Sequence, residues 1–214
     1  MRTKFILILF LIFACLTEVS AREGETIKLL KPEIDGGRPL MRVLGERRSI
    51  RAFSEEELSD RDMSSLLWAA FGVNREKSGK RTAPSAMNWQ EIDIYVSTAD
   101  GLYLYKAETH TLENIFDGDI RDLTGGQDFV AEAPVNLIFV ADYSRMSDMS
   151  EERKDFYSAA DTGFISQNVY LYCASEGLAT VVRGMVDRKT LAEKMQLKQD
   201  QRVVFAQSVG YPEK

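Results

Sequence analysis

The sequence predicts an α+β (mixed α/β) domain in which a central mixed sheet is covered by helices, and three observations carry that prediction. Val135 to Ala141 is a continuous apolar run, which suits a strand buried on both faces. Glu151 to Glu176 reads as one long helix stopped by Gly177, with Ala160, Gly163, Phe164, Gln167, Leu171 and Ala174 in a single stripe at helical spacing. Glu91 to Thr98 alternates Ile92, Ile94 and Val96 on one side, and Asp100-Gly101 is the tight turn of a hairpin into 102–106.

The remaining elements follow in chain order. Residues 22–39 carry Pro32, Gly36, Gly37 and Pro39 with little periodicity and read as an extended N-terminal arm. The domain proper, 40–214, opens with a helix from Leu40 to near Arg48. Ser59 with Asp62 three residues on resembles a capping box, and Met63, Leu66, Leu67, Ala70 and Phe71 continue it as an amphipathic helix ending at Gly72. Residues 115–132, rich in Gly, Asp and Thr, are expected to form loop and a short helix. After the long helix come a short strand over 179–182, a helix over 188–195 and a final strand over 203–209. The elements interleave without strict βαβ repeats, and no internal repeat is present.

Composition narrows the chemistry. The 214 residues are 44% hydrophobic and 28% charged, an ordinary globular balance, with a net charge of -6 that argues against a broad nucleic-acid-binding face. One His and two Cys leave too few ligands at short spacing for a metal centre. Cys173 falls in the long helix and reads as a small buried filler, and His110 is assigned no role.

The first 21 residues read as a secretory signal peptide. Arg2 and Lys4 precede an apolar run of 12 residues from Phe5 to Leu16, too short to span a bilayer, and Val19-Ser20-Ala21 is a small-residue cleavage site. The mature chain would begin at Arg22 and reside in the periplasm. The alternative is a lipoprotein anchored through Cys15, since Ile12-Phe13-Ala14-Cys15 resembles a lipobox. Export without a twin-arginine signal implies that a cofactor is acquired outside the cytoplasm.

Two segments carry chemistry. Arg47-Arg48-Ser49-Ile50-Arg51 places three guanidiniums and a hydroxyl where a helix gives way to a loop, suited to one anion but equally to a solvated helix end. Thr82 to Gln90 sets hydroxyl and amide side chains beside Met87 and Trp89 just before a strand, suited to a polar ring edge but equally to a capped turn.

In this order, the two segments resemble the nitroreductase-like FMN-dependent flavoproteins. The resemblance covers Leu40 to Pro212 and rests on Arg47-x-Ser49-x-Arg51, Pro84-Ser85-x-x-Asn88-x-Gln90, Ala160-Asp161-x-Gly163-x-x-x-Gln167-Asn168, the run from Glu176 to Gly184, and Val209-Gly210-Tyr211-Pro212. It implies an intertwined homodimer with FMN as cofactor. By resemblance, Arg47 and Ser49 would hold the phosphate and ribityl chain, and Arg51 would sit at the N1/C2 edge of the flavin. Pro84, Ser85 and Ala86 would line the ring from the partner subunit. The Gly184 backbone amide would face flavin N5 as the catalytic contact. Arg48, Asn88 and Arg183 complete the candidate cofactor-binding set. Asp161, Gly163 and Gln167 are expected in dimer-core packing, and Arg188 and Lys189 at the surface.

The sequence departs from the resemblance after Pro212, where many members continue with basic residues and a partner-embracing arm. Here only Glu213 and Lys214 follow, so that Arg48 and Lys214 would fill the gap or phosphate affinity would be lower, and the 22–39 arm would wrap the partner instead. The function implied is ping-pong hydride transfer from a reduced donor, NAD(P)H or a quinol or redox partner, to an electron-poor acceptor such as a nitroaromatic or quinone. Similarity to the azoline-oxidase subgroup leaves a flavin-dependent dehydrogenase of peptide azolines as an alternative, and a non-catalytic flavin-binding protein as another.

Overall fold

The computed structural model describes residues 24–214; the expected signal peptide, the Cys15 anchor and the first residues of the arm lie outside the described residues. The described residues begin with strand β1 (Thr26–Lys28), followed by helices α1 (Leu40–Glu46) and α2 (Asp60–Phe71). A small ribbon of β2 (Val73–Arg75) and β3 (Lys80–Arg81) leads into β4 (Ile92–Ser97), β5 (Gly101–Lys106) and β6 (Thr111–Asp117). Then come α3 (Phe129–Glu132), β7 (Val135–Asp142), α4 (Glu151–Glu176), β8 (Ala179–Arg183), α5 (Arg188–Lys194) and β9 (Gln201–Gly210).

Seven strands form one sheet in the order β1-β6-β5-β4-β7-β9-β8. The α+β class holds, but the expected mixed sheet does not: every pairing is antiparallel. The reason lies in connectivity. β4, β5 and β6 run as a meander, while β7 and β8, joined through α4, point the same way but are separated by β9, which is antiparallel to both.

β7 lies inside the sheet between β4 and β9, with Val135, Leu137, Ile138, Phe139, Val140 and Ala141 at most 2% exposed, as its unbroken apolar run requires. Phe139, Leu137 and Val135 join a core beneath α2 and α4, whereas Ile138 and Val140 join a second core with Ile120, Leu191 and Met195. Two layers of cover therefore sandwich the sheet.

Local signals behave as their chemistry dictates. The Ser59 side chain accepts the Asp62 N–H at 3.1 Å and its hydroxyl donates to Asp62 Oδ2 at 2.7 Å, so the expected N-cap forms. Gly177 at φ 78° stops α4 in the left-handed conformation that glycine adopts without a Cβ penalty. At Gly101 a Cβ would meet the Phe116 carbonyl oxygen at 2.7 Å, so the hairpin approaches β6 too closely for a side chain.

Two segments not expected as strands are ordered by pairing, the first reaching into the 115–132 stretch expected to be loop and short helix. Residues 111–117 form β6 because His110, at φ 51°, closes a turn from β5, its ring held by Ser64 Oγ at 2.8 Å and Tyr105 OH at 2.9 Å. Arm residues 26–28 pair with β6, and the arm crosses its own chain: the Arg38 N–H donates to Ser175 Oγ and the Glu33 N–H to Ser65 Oγ. Cys173 is fully buried, and burial pushes its thiol up.

Candidate functional site

The Arg47–Arg51 segment begins where α1 ends, the Arg47 N–H closing the last turn onto the Val43 carbonyl. It then runs along β8, with the Ile50 N–H donating to the Thr180 carbonyl at 3.0 Å. Tyr170 of α4 makes the second tie: its hydroxyl accepts the Val182 N–H at 3.1 Å and shares a 2.7 Å hydrogen bond with Ser49 Oγ. The same ring carries the Arg47 guanidinium, 5.1 Å from its centroid, in a cation–π contact. One tyrosine thus locks the Arg-Ser segment two residues before Gly184.

Arg47, Arg48 and Arg51 enter no ion pair among the described residues, and Arg48, Ser49 and Arg51 are exposed. Three positive charges without acidic partners suit an anionic group, and bidentate guanidiniums suit a phosphate. Gly184 is exposed, and a Cβ built on it would meet only the Phe205 ring at 3.7 Å. A flat ligand can therefore approach the backbone there. Gly184 borders a cavity of about 430 Å³ shared with Leu123, Gly125, Gly126 and Met185. A cavity of about 700 Å³ lies elsewhere, lined by Ile27, Leu58, Met63 and Tyr103, and holds none of the predicted site residues.

Arg183 differs from its expected role. Its side chain is 4% exposed and points into the molecule, donating to the Thr124 carbonyl at 2.5 Å, Thr124 Oγ1 at 3.3 Å and Asn136 Oδ1 at 2.8 Å. Burial pushes its pKa down to about 10. Its guanidinium braces the 121–126 segment, leaving only its backbone beside Gly184.

The 84–90 loop lies away from the arginines within one chain. It is held at Asp161 of α4, whose Oδ2 accepts the Ala86 N–H at 2.8 Å. Tyr170 lies nine residues further along the helix, about 13 Å at 1.5 Å per residue. The Gln90 N–H donates to Ser85 Oγ at 3.0 Å, Arg81 Nε to Gln90 Oε1 at 2.9 Å, and Arg145 Nη1 to the Gln90 carbonyl at 2.8 Å. Met87, Asn88 and Gln90 all have positive φ, at 49°, 57° and 50°, conformations that non-glycine residues adopt only when their surroundings impose them. Pro84, Asn88 and Met87 are exposed, Met87 at 82%.

Behind this loop sits Glu91, fully buried, with neither carboxylate oxygen hydrogen-bonded. Burial pushes its pKa up to about 7, and the nearby carboxyl of Asp161 adds to the rise. Asp161 is 3% exposed and faces its own chain, so it anchors the loop, unlike the dimer-core packing expected of it. Gly163 and Gln167 are exposed, as that packing requires of them. Arg188 and Lys189 are both exposed, as expected, Arg188 donating to the Val203 and Val204 carbonyls.

Tyr170 and Glu91 were not legible as site residues. Tyr170 lies off the helical stripe that the sequence offered, on the face that α4 buries, and Glu91 stands at the mouth of a strand, where a charge ordinarily faces water. No His, Cys, Asp or Glu cluster among the described residues could hold a metal ion.

The nitroreductase family model matches residues 44–211. A nitroreductase-type protein of Methanocaldococcus jannaschii is 34% identical over 186 residues, covering 82% of this chain and 93% of that protein. The FMN reductase [NAD(P)H] of Bacillus subtilis is 26% identical over 188 residues, covering 81% of this chain and 66% of its own length. Among solved structures, a nitroreductase-type protein of Ralstonia eutropha JMP134 superposes with a TM-score of 0.84 at 44% identity, covering 88% of this chain and 90% of that one. Motifs, fold and match over most of the chain agree, and the protein belongs to the nitroreductase family.

Proposed function

We propose that the protein is an FMN-dependent oxidoreductase that passes hydride from a reduced donor to an electron-poor acceptor. The observation that carries this is the Tyr170 tie, which sets Ser49 and three arginines without an acidic partner among the described residues beside the strand leading into open Gly184. Similarity to an FMN reductase supports the choice of flavin. Arg47, Arg48 and Ser49 would hold the phosphate end, and Arg51 would place a positive charge near the ring. Gly184 would present its backbone amide where a side chain would obstruct close approach. Bound FMN supplies two-electron transfer at N5, so the protein's task is positioning and charge, with no side-chain acid required.

The functional unit we infer is a homodimer. α1 buries only Val43 while exposing Leu40, Met41 and Leu44, and α4 exposes Phe156 and Phe164 on the stripe that also carries Gly163 and Gln167. A seven-residue helix with one buried side chain needs further cover, and so does an apolar helix face. Pairing would also bring the 84–90 loop of one protomer toward the arginine segment of its partner, joining Pro84, Ser85, Ala86 and Asn88 to a site they do not reach within one chain.

Export, read from residues 1–21, makes a quinol or redox protein a donor alongside NAD(P)H, and nitroaromatics or quinones the acceptors. The deciding experiment is purification of the mature protein and titration with FMN, followed by anaerobic reduction with NADH, NADPH and a water-soluble quinol. Yellow protein bleached by a donor and reoxidised by a quinone or nitroaromatic supports the proposal. Protein that binds no FMN overturns it. Amino-terminal sequencing of periplasmic material tests export: a start at Arg22 supports it, and a retained Met1 overturns it.

A further inference from the structure

We propose that Glu91 and Asp161 are positioning residues that share one proton behind the 84–90 loop and thereby set that loop for the flavin, so that flavin affinity follows the ionisation of Glu91. This rests on the FMN reading above and on the loop serving the partner protomer's site.

The geometry places acceptor against acceptor. Glu91 is fully buried with both oxygens lacking a partner, and the group facing it from α4 is Asp161, itself 3% exposed. Two carboxylates in one buried place cannot both ionise cheaply, and a proton between them supplies the hydrogen bond that Glu91 otherwise lacks. With that proton on Glu91, Asp161 stays a carboxylate and its Oδ2 keeps the Ala86 N–H at 2.8 Å. That bond, together with the edge-on packing of Tyr157 of α4 against Trp89, ties α4 to a loop with three left-handed non-glycine residues, a conformation that needs outside support.

The other charge facing Glu91 is Arg145, from the turn after β7, and it is already engaged by Asp93, Asp142 and the Gln90 carbonyl. Asp142 itself turns its carboxylate to Ser144 and Arg145, meeting Glu91 only through its backbone N–H. Among the described residues, the one cation facing Glu91 is therefore already shared with other carboxylates and compensates it only weakly when it ionises. Burial already holds its proton to near neutral pH, and loss of that proton puts a second negative charge against Asp161 and loosens the loop.

The test measures the FMN dissociation constant of the full mature protein by flavin fluorescence, between about pH 6 and pH 8.5, for wild type, Glu91→Gln and Asp161→Ala. Wild type should weaken about tenfold or more across this range, with a midpoint near neutrality. Glu91→Gln, a permanent mimic of the protonated acid, should keep the low-pH affinity throughout, and Asp161→Ala should bind weakly at every pH. The amide shift of Ala86 in flavin-free protein should titrate with the same midpoint, which keeps the test decisive if a variant fails to fold. A wild-type affinity and an Ala86 shift that are both flat with pH overturn the clamp while leaving the flavin reading intact. Absence of FMN binding at any pH overturns both.

Discussion

Replacing Arg183 with Met separates a brace from a cofactor contact. The methionine keeps the length of the side-chain stem but removes a charge that is 4% exposed. Two effects oppose each other. Burial lowers the guanidinium from its ordinary value to about 10, so its removal relieves about 3 kcal/mol of desolvation. Against this stand three hydrogen bonds from a cation, each worth about 1.5–3 kcal/mol. Asn136 Oδ1 retains Ser208 Oγ at 2.6 Å, so the carbonyl of Thr124 is the acceptor left bare. The bonds outweigh the relief, and a net loss of about 2 kcal/mol is expected. Urea unfolding followed by tryptophan fluorescence measures it, with FMN titration of the folded variant in parallel. Wild-type stability combined with weakened FMN binding would refute the reasoning and return the guanidinium to the cofactor.

Four other outcomes follow from the same geometry. Glu91 carries a folded pKa of about 7 against 4.5, so the native chain keeps a proton that the unfolded chain has released. Its contribution to stability is full below about pH 4.5, is lost as pH rises to about 7, and changes by on the order of 3 kcal/mol; denaturation of wild type and Glu91→Gln at pH 5 and pH 8 should show the loss only in wild type. Tyr170→Phe removes the hydroxyl joining Ser49 to Val182 and should cost about 1 kcal/mol of stability and roughly tenfold in FMN affinity, read by the same two titrations. Gly184→Ala meets only Phe205 at 3.7 Å, so stability should stay within about 0.5 kcal/mol while flavin affinity falls; unchanged affinity would remove Gly184 from the ring's path. Phe164→Glu puts a charge on the exposed apolar stripe of α4 and should give a monomer in analytical ultracentrifugation that no longer retains FMN.

The elements legible in the sequence were those whose signals are local. Ser59 with Asp62, the 135–141 run, the turn at Asp100-Gly101 and the stop at Gly177 each act within a few residues, and each formed where its chemistry placed it. β6 and the arm strand were not legible, because Thr111–Asp117 and Thr26–Lys28 become strands only by pairing with each other and with β5. The stripe of Ala160, Gly163, Phe164, Gln167, Leu171 and Ala174 was read with the right period, yet period does not say which face is covered. The chain buries Asp161, Thr162, Ile165, Ser166, Val169, Tyr170 and Cys173 instead.

By itself the sequence determined the class of fold, the arginine and Pro-Ser segments and the family they resemble, since residue type and spacing are enough to name groups that suit a phosphate and a flat ring. Only the tertiary structure decided how those groups are used. It turned Arg183 inward, tied Ser49 to β8 through Tyr170, and put Glu91 against Asp161 behind a strained loop. Such decisions depend on which side chains share a dry interior, where an unpaired charge or acceptor costs most, and that partnership between distant residues is not written in the spacing of either one.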